Sequence, residues 1–331
     1  MPTAVITPEV MRDPDAPYAR LLREAGFEVR YPQRVLYGPG AVGSDEMIEE
    51  LRGADAVIAS AEHYTPRVLD ALPELRVVAR AGVGYDAVDV PACTARNVVV
   101  TITPTSNHAA VAELALALLF AVAKSMVAGD RALRAGRWPR ESTMPIRGKT
   151  LGILGLGRIG RSMATRSQSL GMKTIATEQF PDQKFVAEHG IELVDFLTLL
   201  ARSDIVSLHC PLTDETRGIM NADAFARMKP GSIFINTARG RLVIEEDLVA
   251  ALRSGHLRGA GLDVFEEEPP SRDNPLFALD NVVASPHIAG CDEMSLVGMG
   301  VEAAQCIVKL SRGEWPEGAV VNAELKGRWK W

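Results

Sequence analysis

The chain is poor in cysteine, has no excess of positive charge and lacks a long apolar run, and each scarcity removes a class of protein. Its four cysteines, Cys93, Cys210, Cys291 and Cys306, are scattered and form no C-x-x-C pair. That excludes a disulfide-stapled module and points to a reducing, cytoplasmic setting. Lys and Arg total 36 against 42 Asp and Glu, a net charge of −6, which leaves no electrostatic footprint for nucleic acid. The longest clean apolar run, Leu114 to Ala123, falls short of the ~20 residues that cross a bilayer, so no membrane association is expected. The opening stretch from Met1 to Pro8 has neither a basic segment nor an apolar stretch, and a secretory leader is not expected. No Cys/His spacing matches a zinc or iron site, so no metal is expected either.

What is present is a globular composition, 47% hydrophobic and 24% charged over 331 residues. At ~100–200 residues per domain this implies two domains, each with its own core. In the first hundred residues, β-rich runs at 3–7, 28–31, 56–59, 77–79 and 98–101 alternate with helical patterns at 16–25, 45–52, 65–71 and 91–96. Such alternation predicts a parallel sheet with crossover helices. A nearly all-apolar helix over 108–127 follows, buried between domains or subunits and suited to a dimer interface. After a polar stretch at 134–149 the alternation restarts, with strands at 150–154, 173–177, 205–209, 232–236, 261–264 and 282–284. A closing helix over 293–310 leads to an irregular tail, 313–331. The reading is α/β, two doubly wound parallel-sheet domains, joined by tight crossings near Thr103 and Gly290.

The sharpest motif is Gly155-Leu156-Gly157-Arg158-Ile159-Gly160, between the strand at 150–154 and a helical run to Leu170. In that context the first glycine makes the turn, the second admits a pyrophosphate to the backbone, and the third allows close helix–strand packing. The next strand ends in Glu178, at about the ~20-residue separation of a ribose-binding acid, whose charge accepts a 2′-hydroxyl and repels a 2′-phosphate. NAD is therefore the expected cofactor. Ligands of open parallel sheets lie beyond the carboxyl ends of strands, which here carry Cys210-Pro211, Thr237-Ala238-Arg239, Asp263 and Pro286-His287.

Reduction of a 2-keto acid beside NADH needs a cation, a proton donor and a carboxylate to orient that donor. Arg239 suits the first role, because its planar fork matches a carboxylate. His287, fixed at a strand end by Ser285-Pro286, suits the second, since an ordinary histidine titrates near ~6.5. The partner carboxylate lies in Glu266-Glu267-Glu268-Pro269-Pro270, and spacing does not choose among its three glutamates.

The stretches RAGVGYDAVD (80–89), GKTLGILGLGRIG (148–160), GMKTIATE (171–178), HCPLTDETRGIM (209–220), NTARGRLV (236–243), GLDVFEEEPP (261–270) and SPHIAG (285–290) together resemble the D-isomer-specific 2-hydroxyacid dehydrogenases. That family includes D-3-phosphoglycerate, D-glycerate/hydroxypyruvate, D-lactate and formate dehydrogenases. The resemblance implies a Rossmann NAD-binding domain, 104–290, inserted into a flavodoxin-like substrate domain, 1–103 plus 291–331, in a protein that usually dimerises through the larger domain. It implies Arg239 as substrate-binding arginine, Glu268 as partner acid and His287 as general acid/base. It further implies substrate contacts from the amides of Val83 and Gly84 and from Asn107, nicotinamide-amide anchoring by Asp263, and cofactor contacts at Arg158, Ile159, Cys210, Pro211, Thr237, Ala238 and Gly290.

The nearest likeness within the family is to phosphoglycerate dehydrogenases, which makes 3-phosphoglycerate/phosphohydroxypyruvate or glycerate/hydroxypyruvate the favoured substrates. Two departures stand out. The loop Ala59-Ser60-Ala61-Glu62-His63-Tyr64 has no arginine for a substrate phosphate, leaving Arg140 as a candidate. The chain also stops near Trp331, so a C-terminal serine-binding domain, and feedback by serine, are not expected. Alternatives are a same-fold reductase of another 2-keto acid, of glyoxylate or lactate type, and a non-enzymatic NAD-sensing protein of corepressor type.

Overall fold

The computed structural model describes residues 1–38 and 41–331. They form two compact units, Met1–Asn107 with Gly290–Trp331, and His108–Ala289.

In the first unit, β1 (Thr3–Ile6), β2 (Glu28–Arg30), β3 (Ala56–Ala59), β4 (Val77–Arg80) and β5 (Val99–Thr101) form a parallel sheet of order β2-β1-β3-β4-β5. The runs Thr3–Ile6 and Ala56–Ala59 are buried throughout, as a parallel sheet covered on both faces requires. Their side chains alternate between two cores: Ala4, Ile6, Ala56 and Ile58 enter one, Val5, Val57 and Ala59 the other.

The helix Glu293–Ser311 supplies Met299, Ala303, Ala304 and Ile307 to the first of these cores. It begins at Asp292, whose side chain accepts from Ser295 N–H at 2.6 Å. It lies on the helix Pro17–Glu24, at Gly300, where any Cβ would overlap the Tyr18 ring. The tail beyond it is more ordered than its composition suggests. Val320 bridges Thr101, the Asn322 amide joins Val98 O and Val100 N–H, Trp329 Nε1 donates to Asn97 O at 2.8 Å, and Trp331 meets Phe27 edge-on. All these partners are distant in sequence, which is why no local pattern announces them.

In the second unit, β6 (Thr150–Leu154), β7 (Lys173–Thr177), β8 (Glu192–Leu193), β9 (Ile205–Leu208), β10 (Ser232–Asn236), β11 (Leu257–Leu262) and β12 (Val282–Ala284) make a parallel sheet. Its order is β12-β11-β10-β9-β6-β7-β8. β8 is too short for a periodic signal. β11 starts earlier and ends earlier than the expected 261–264, because Gly259 and Gly261 interrupt the apolar run. A Cβ at either would crowd Val122 or Leu118, so these glycines let the helix His108–Ala123 lie close on the sheet.

That helix stops short of the expected 127. Ser125 takes a left-handed conformation (φ 50°), and a second helix, Met126–Arg134, leaves at 58°. No single helix among the described residues is long and apolar enough to cross a membrane; only this bent pair is so when joined, and half of its first helix is core.

Gly300→Val places branched carbon atoms against the Tyr18 ring. Relief of a helical glycine is worth at most ~1 kcal/mol, whereas overpacking costs about 1–3 kcal/mol, so the variant should melt several degrees lower in a thermal scan. A melting temperature at or above that of the parent would refute this packing.

Candidate active site

β6 ends in the glycine loop. Gly155 has φ 97°, and a Cβ there would lie 2.5 Å from Cys210 N; a Cβ on Gly160 would overlap Gly155 O. Those two glycines are demanded by the unit's own packing. Gly157 differs: nothing lies within 4 Å of where its Cβ would be, and it caps the twelve-residue helix Arg158–Ser169. That open place, at a helix N-terminus with its unpaired amides, fits a pyrophosphate. Ile159 is half-buried beside exposed Arg158. Glu178, at the end of β7, is fixed over the loop: its Oε2 accepts from Leu156 N–H at 2.7 Å and its Oε1 from Phe180 N–H at 2.9 Å. The carboxylate keeps lone pairs for a diol.

β9 leads into His209, Cys210 and exposed Pro211. Desolvation lowers His209 to about 4 and raises the Cys210 thiol to about 11, so at neutral pH the imidazole is uncharged and the sulfur is no nucleophile. His209 Nε2 lies 2.9 Å from Ser207 Oγ, while Nδ1 is buried with no partner among the described residues.

β10 ends in Asn236, a residue whose part sequence reasoning missed. Its amide nitrogen donates to Arg239 O at 2.8 Å and its oxygen accepts from Ala238 N–H at 3.0 Å, which staples the Thr237-Ala238-Arg239 turn. The turn leaves Thr237 Oγ1 buried without a partner among the described residues. Arg239 is half-buried, with Nη1 2.5 Å from Ala238 O. Gly240, equally overlooked, has its Cα against the Phe265–Glu266 peptide, where no side chain would fit. It presses the arginine turn onto the segment that carries Glu268. The far side of that segment is held by Glu245, which accepts from Glu266 N–H at 2.7 Å and from Asn274 at 2.9 Å.

β11 ends before Asp263, which is fully buried. Its carboxylate accepts from Ser285 Oγ (2.6 Å), Ile288 N–H (3.0 Å) and Ala289 N–H (2.8 Å), and its carbonyl accepts from His287 N–H (2.9 Å). One residue thus shapes the whole 285–289 turn and holds His287 in a left-handed conformation, φ 53°, that a non-glycine residue adopts rarely. The geometry also chooses among the three glutamates. Glu268 Oε2 stands 2.6 Å from His287 Nδ1, and its Oε1 accepts from Phe265 N–H at 3.0 Å. A carboxylate only accepts, so Nδ1 carries the proton and Nε2 is the free face of the ring. Both side chains keep some exposure, 38% and 21%. Arg239, Glu268 and His287 are all carried by the second unit.

Val83, Gly84, Asn107 and Gly290 belong to the first unit. Val83 is 39% exposed, in a turn held by Arg80 Nε on Gly84 O (3.0 Å) and by Thr103 Oγ1 on Gly82 N–H (2.8 Å). Gly290 faces the Asn107 amide, whose oxygen has no partner among the described residues. In the loop after β3, His63 is exposed while Glu62 and Tyr64 are buried. No group of three or more His, Cys, Asp or Glu suited to a metal occurs among the described residues.

A parallel seven-stranded sheet with a glycine loop, an acid fixed over that loop and a buttressed histidine defines a dinucleotide-binding unit of the dehydrogenase type. Residues 116–289 match the model of the D-isomer specific 2-hydroxyacid dehydrogenase NAD binding domain. The chain is 45% identical over 281 residues to a D-3-phosphoglycerate dehydrogenase of Mycobacterium leprae, covering 82% of this chain and 53% of that protein. It is 38% identical over 290 residues to a glyoxylate reductase of Korarchaeum cryptofilum, covering 85% and 87%. The crystal structure of the TT0316 protein from Thermus thermophilus superposes with a TM-score of 0.85 at 36% identity, covering 96% of this chain and all of that one. The chain belongs to the D-isomer-specific 2-hydroxyacid dehydrogenase family and carries its NAD-binding domain. It spans about half the length of the phosphoglycerate dehydrogenases it matches.

His209 makes stability depend on pH. Its folded value of about 4 lies below the ordinary 6.5, so the unfolded chain takes up a proton first as pH falls. The stabilising term is complete above pH ~6.5 and is lost as pH drops toward 4. His209→Gln should therefore lose about 2–3 kcal/mol less than the parent between pH 7 and 4 in denaturant titrations. Parallel losses in both proteins would show that the ring is not held neutral.

Proposed function

We propose that the chain is an NAD-dependent D-2-hydroxyacid dehydrogenase that interconverts a small 2-hydroxy acid and its 2-keto acid. 3-Phosphoglycerate/phosphohydroxypyruvate or glycerate/hydroxypyruvate are the favoured pairs. The observation that carries this reading is the 2.6 Å pair of His287 and Glu268 on the unit that also bears the glycine loop and the Arg239 turn. NAD, when bound, takes up or supplies the hydride at the substrate carbon.

The chain's own residues do the rest. Gly157 and the helix start at Arg158 and Ile159 receive the pyrophosphate, Gly155 and Gly160 shape the loop, and Glu178 accepts the ribose hydroxyls. Cys210, Pro211, Thr237, Ala238 and Asp263 line the cofactor, as does Gly290 by family resemblance. Arg239 binds the substrate carboxylate and polarises its carbonyl. His287 gives its Nε2 proton to the carbonyl oxygen in reduction and takes it from the hydroxyl in oxidation, while Glu268 fixes the tautomer and stabilises the imidazolium. In the first unit, the amides of Val83 and Gly84 bind the carboxylate and Asn107 adds a contact.

The test is NADH oxidation by purified protein with glyoxylate, hydroxypyruvate, phosphohydroxypyruvate and pyruvate, in parallel with His287→Ala. Turnover on at least one acid is expected, with His287→Ala slower by ~10²–10⁴-fold and NADH affinity unchanged. Silence of the parent on the whole panel would favour the alternative of a non-enzymatic NAD-sensing protein. A near-normal rate for His287→Ala would remove the acid/base assignment alone.

We also infer a cytoplasmic homodimer formed through the second unit. None of the four cysteines is in a disulfide, which fits a reducing compartment. Met126 (61% exposed), Leu133 (54%) and Trp138 (79%) present apolar surface on and just after the helix Met126–Arg134. Sedimentation equilibrium should give twice the 35.7 kDa chain mass, and Trp138→Glu should shift the protein toward monomer; a monomeric parent would rule this out.

A further inference from the structure

A buried acid in the first unit has no part in the chemistry described so far. Glu62, in the loop after β3, is 1% exposed. Its Oε1 gathers three donors: Thr7 Oγ1 at 2.5 Å, Tyr64 OH at 3.1 Å and Ser60 N–H at 3.2 Å. Its Oε2 is buried with no hydrogen-bond partner among the described residues. Burying a carboxylate is costly even when both oxygens are satisfied, and leaving one unpaired adds to the cost. An amide or an apolar side chain would serve packing better, and violations of this kind concentrate where function demands them.

The place of the network indicates the demand. Thr7 follows β1 and Ser60 follows β3, so Glu62 ties two loops at the carboxyl edge of the sheet. Thr7 Oγ1 also accepts from Ser60 N–H at 3.0 Å. Tyr64 is fully buried and pinned to the next loop, Tyr64 N–H on Ala87 O at 2.9 Å and Asp89 N–H on Tyr64 O at 3.1 Å. Burial and the Glu62 charge both raise the Tyr64 phenol well above its ordinary value, so it remains a donor. At the root of the Glu62 loop, Ala59 O accepts from Ala81 N–H at 2.9 Å and from Arg80 Nη1 at 2.8 Å. Arg80 Nε in turn holds Gly84 O at 3.0 Å. Glu62 is thus joined through Ser60, Ala59 and Arg80 to the Val83–Gly84 turn, and through Tyr64 to the residues that follow it.

We propose that Glu62 is a positioning residue for the carboxylate-binding turn at Val83 and Gly84, with Thr7 and Tyr64 as its donors and Arg80 as the link. The proposal rests on the dehydrogenase reading for the identity of the ligand. Glu62 touches neither substrate nor cofactor; it fixes the amides that do the binding.

The test is Glu62→Gln together with Tyr64→Phe. The glutamine keeps the shape and an oxygen for the three donors, but it removes the charge that strengthens those bonds and puts an amide nitrogen in place of the unpartnered Oε2. Read in the intact protein, Glu62→Gln should raise the KM for the 2-keto acid at least tenfold and Tyr64→Phe severalfold. The KM for NADH should stay within twofold of the parent in both, as should the melting temperature within a few degrees. Calorimetric titration of the NADH-loaded protein with oxamate, a 2-keto acid analogue, reads the same weakening without turnover. A lowered melting temperature with unchanged KM and unchanged oxamate affinity would make Glu62 a core residue and overturn the proposal. A parent that binds oxamate but reduces no acid would refute the dehydrogenase reading while leaving this one to be decided by the oxamate titration.

Discussion

The carboxylate of Asp263 is the constraint on which the site turns. It is sealed from water and surrounded by a hydroxyl and two amides of one short turn. A buried anion must be paired or fully hydrogen-bonded, and here the donors come almost entirely from the segment that carries His287. The left-handed backbone of that histidine costs free energy that the Asp263 contacts offset. Because Asp263 directly follows β11, whose last residue Leu262 pairs with Asn236 of β10, the histidine is located by the sheet and not by a mobile loop.

The same device recurs at each neighbouring strand end. Asn236 uses both ends of its amide to fold the Arg239 turn, Glu178 ties the glycine loop with one oxygen and its own following turn with the other, and Gly240 allows the arginine turn to lie against the glutamate segment. Each holds its functional group by short-range bonds to backbone, so the site can be ordered before any ligand arrives, as catalysis by fixed dipoles and charges requires. The His287–Glu268 pair is the product of two such supports, one from Asp263 and one from the Phe265 amide.

Much of this was legible in the sequence because it is local. A strand, three glycines, a helix and an acid at the end of the next strand are adjacent in the chain, and their chemistry follows from spacing alone. The alternation of apolar runs located both sheets. What spacing did not reveal has two causes, partners far apart in sequence and elements or side-chain staples too short to carry a period. The choice of Glu268 over Glu266 and Glu267 depends on a turn nineteen residues on. The parts of Asn236 and Gly240 depend on what lies against them, β8 is too short to carry a period, and β11 was displaced by glycines that serve the helix above it. Glu62 gave no signal, since an acid in a polar loop reads as solvated until its burial is known.

The first unit is assembled from both ends of the chain, with Ala4, Ile6 and Ala56 packed against Met299, Ala303 and Ile307. On a ribosome these early strands wait, their apolar faces uncovered, while the entire His108–Ala289 unit is made. The second unit therefore has its full complement of residues first, and the first can close only after the last helix emerges. An uninterrupted sheet with local helices would spare the chain that interval. This one spends it with an apolar face of the first sheet uncovered, so the order of synthesis sets how long that face stays open to wrong partners.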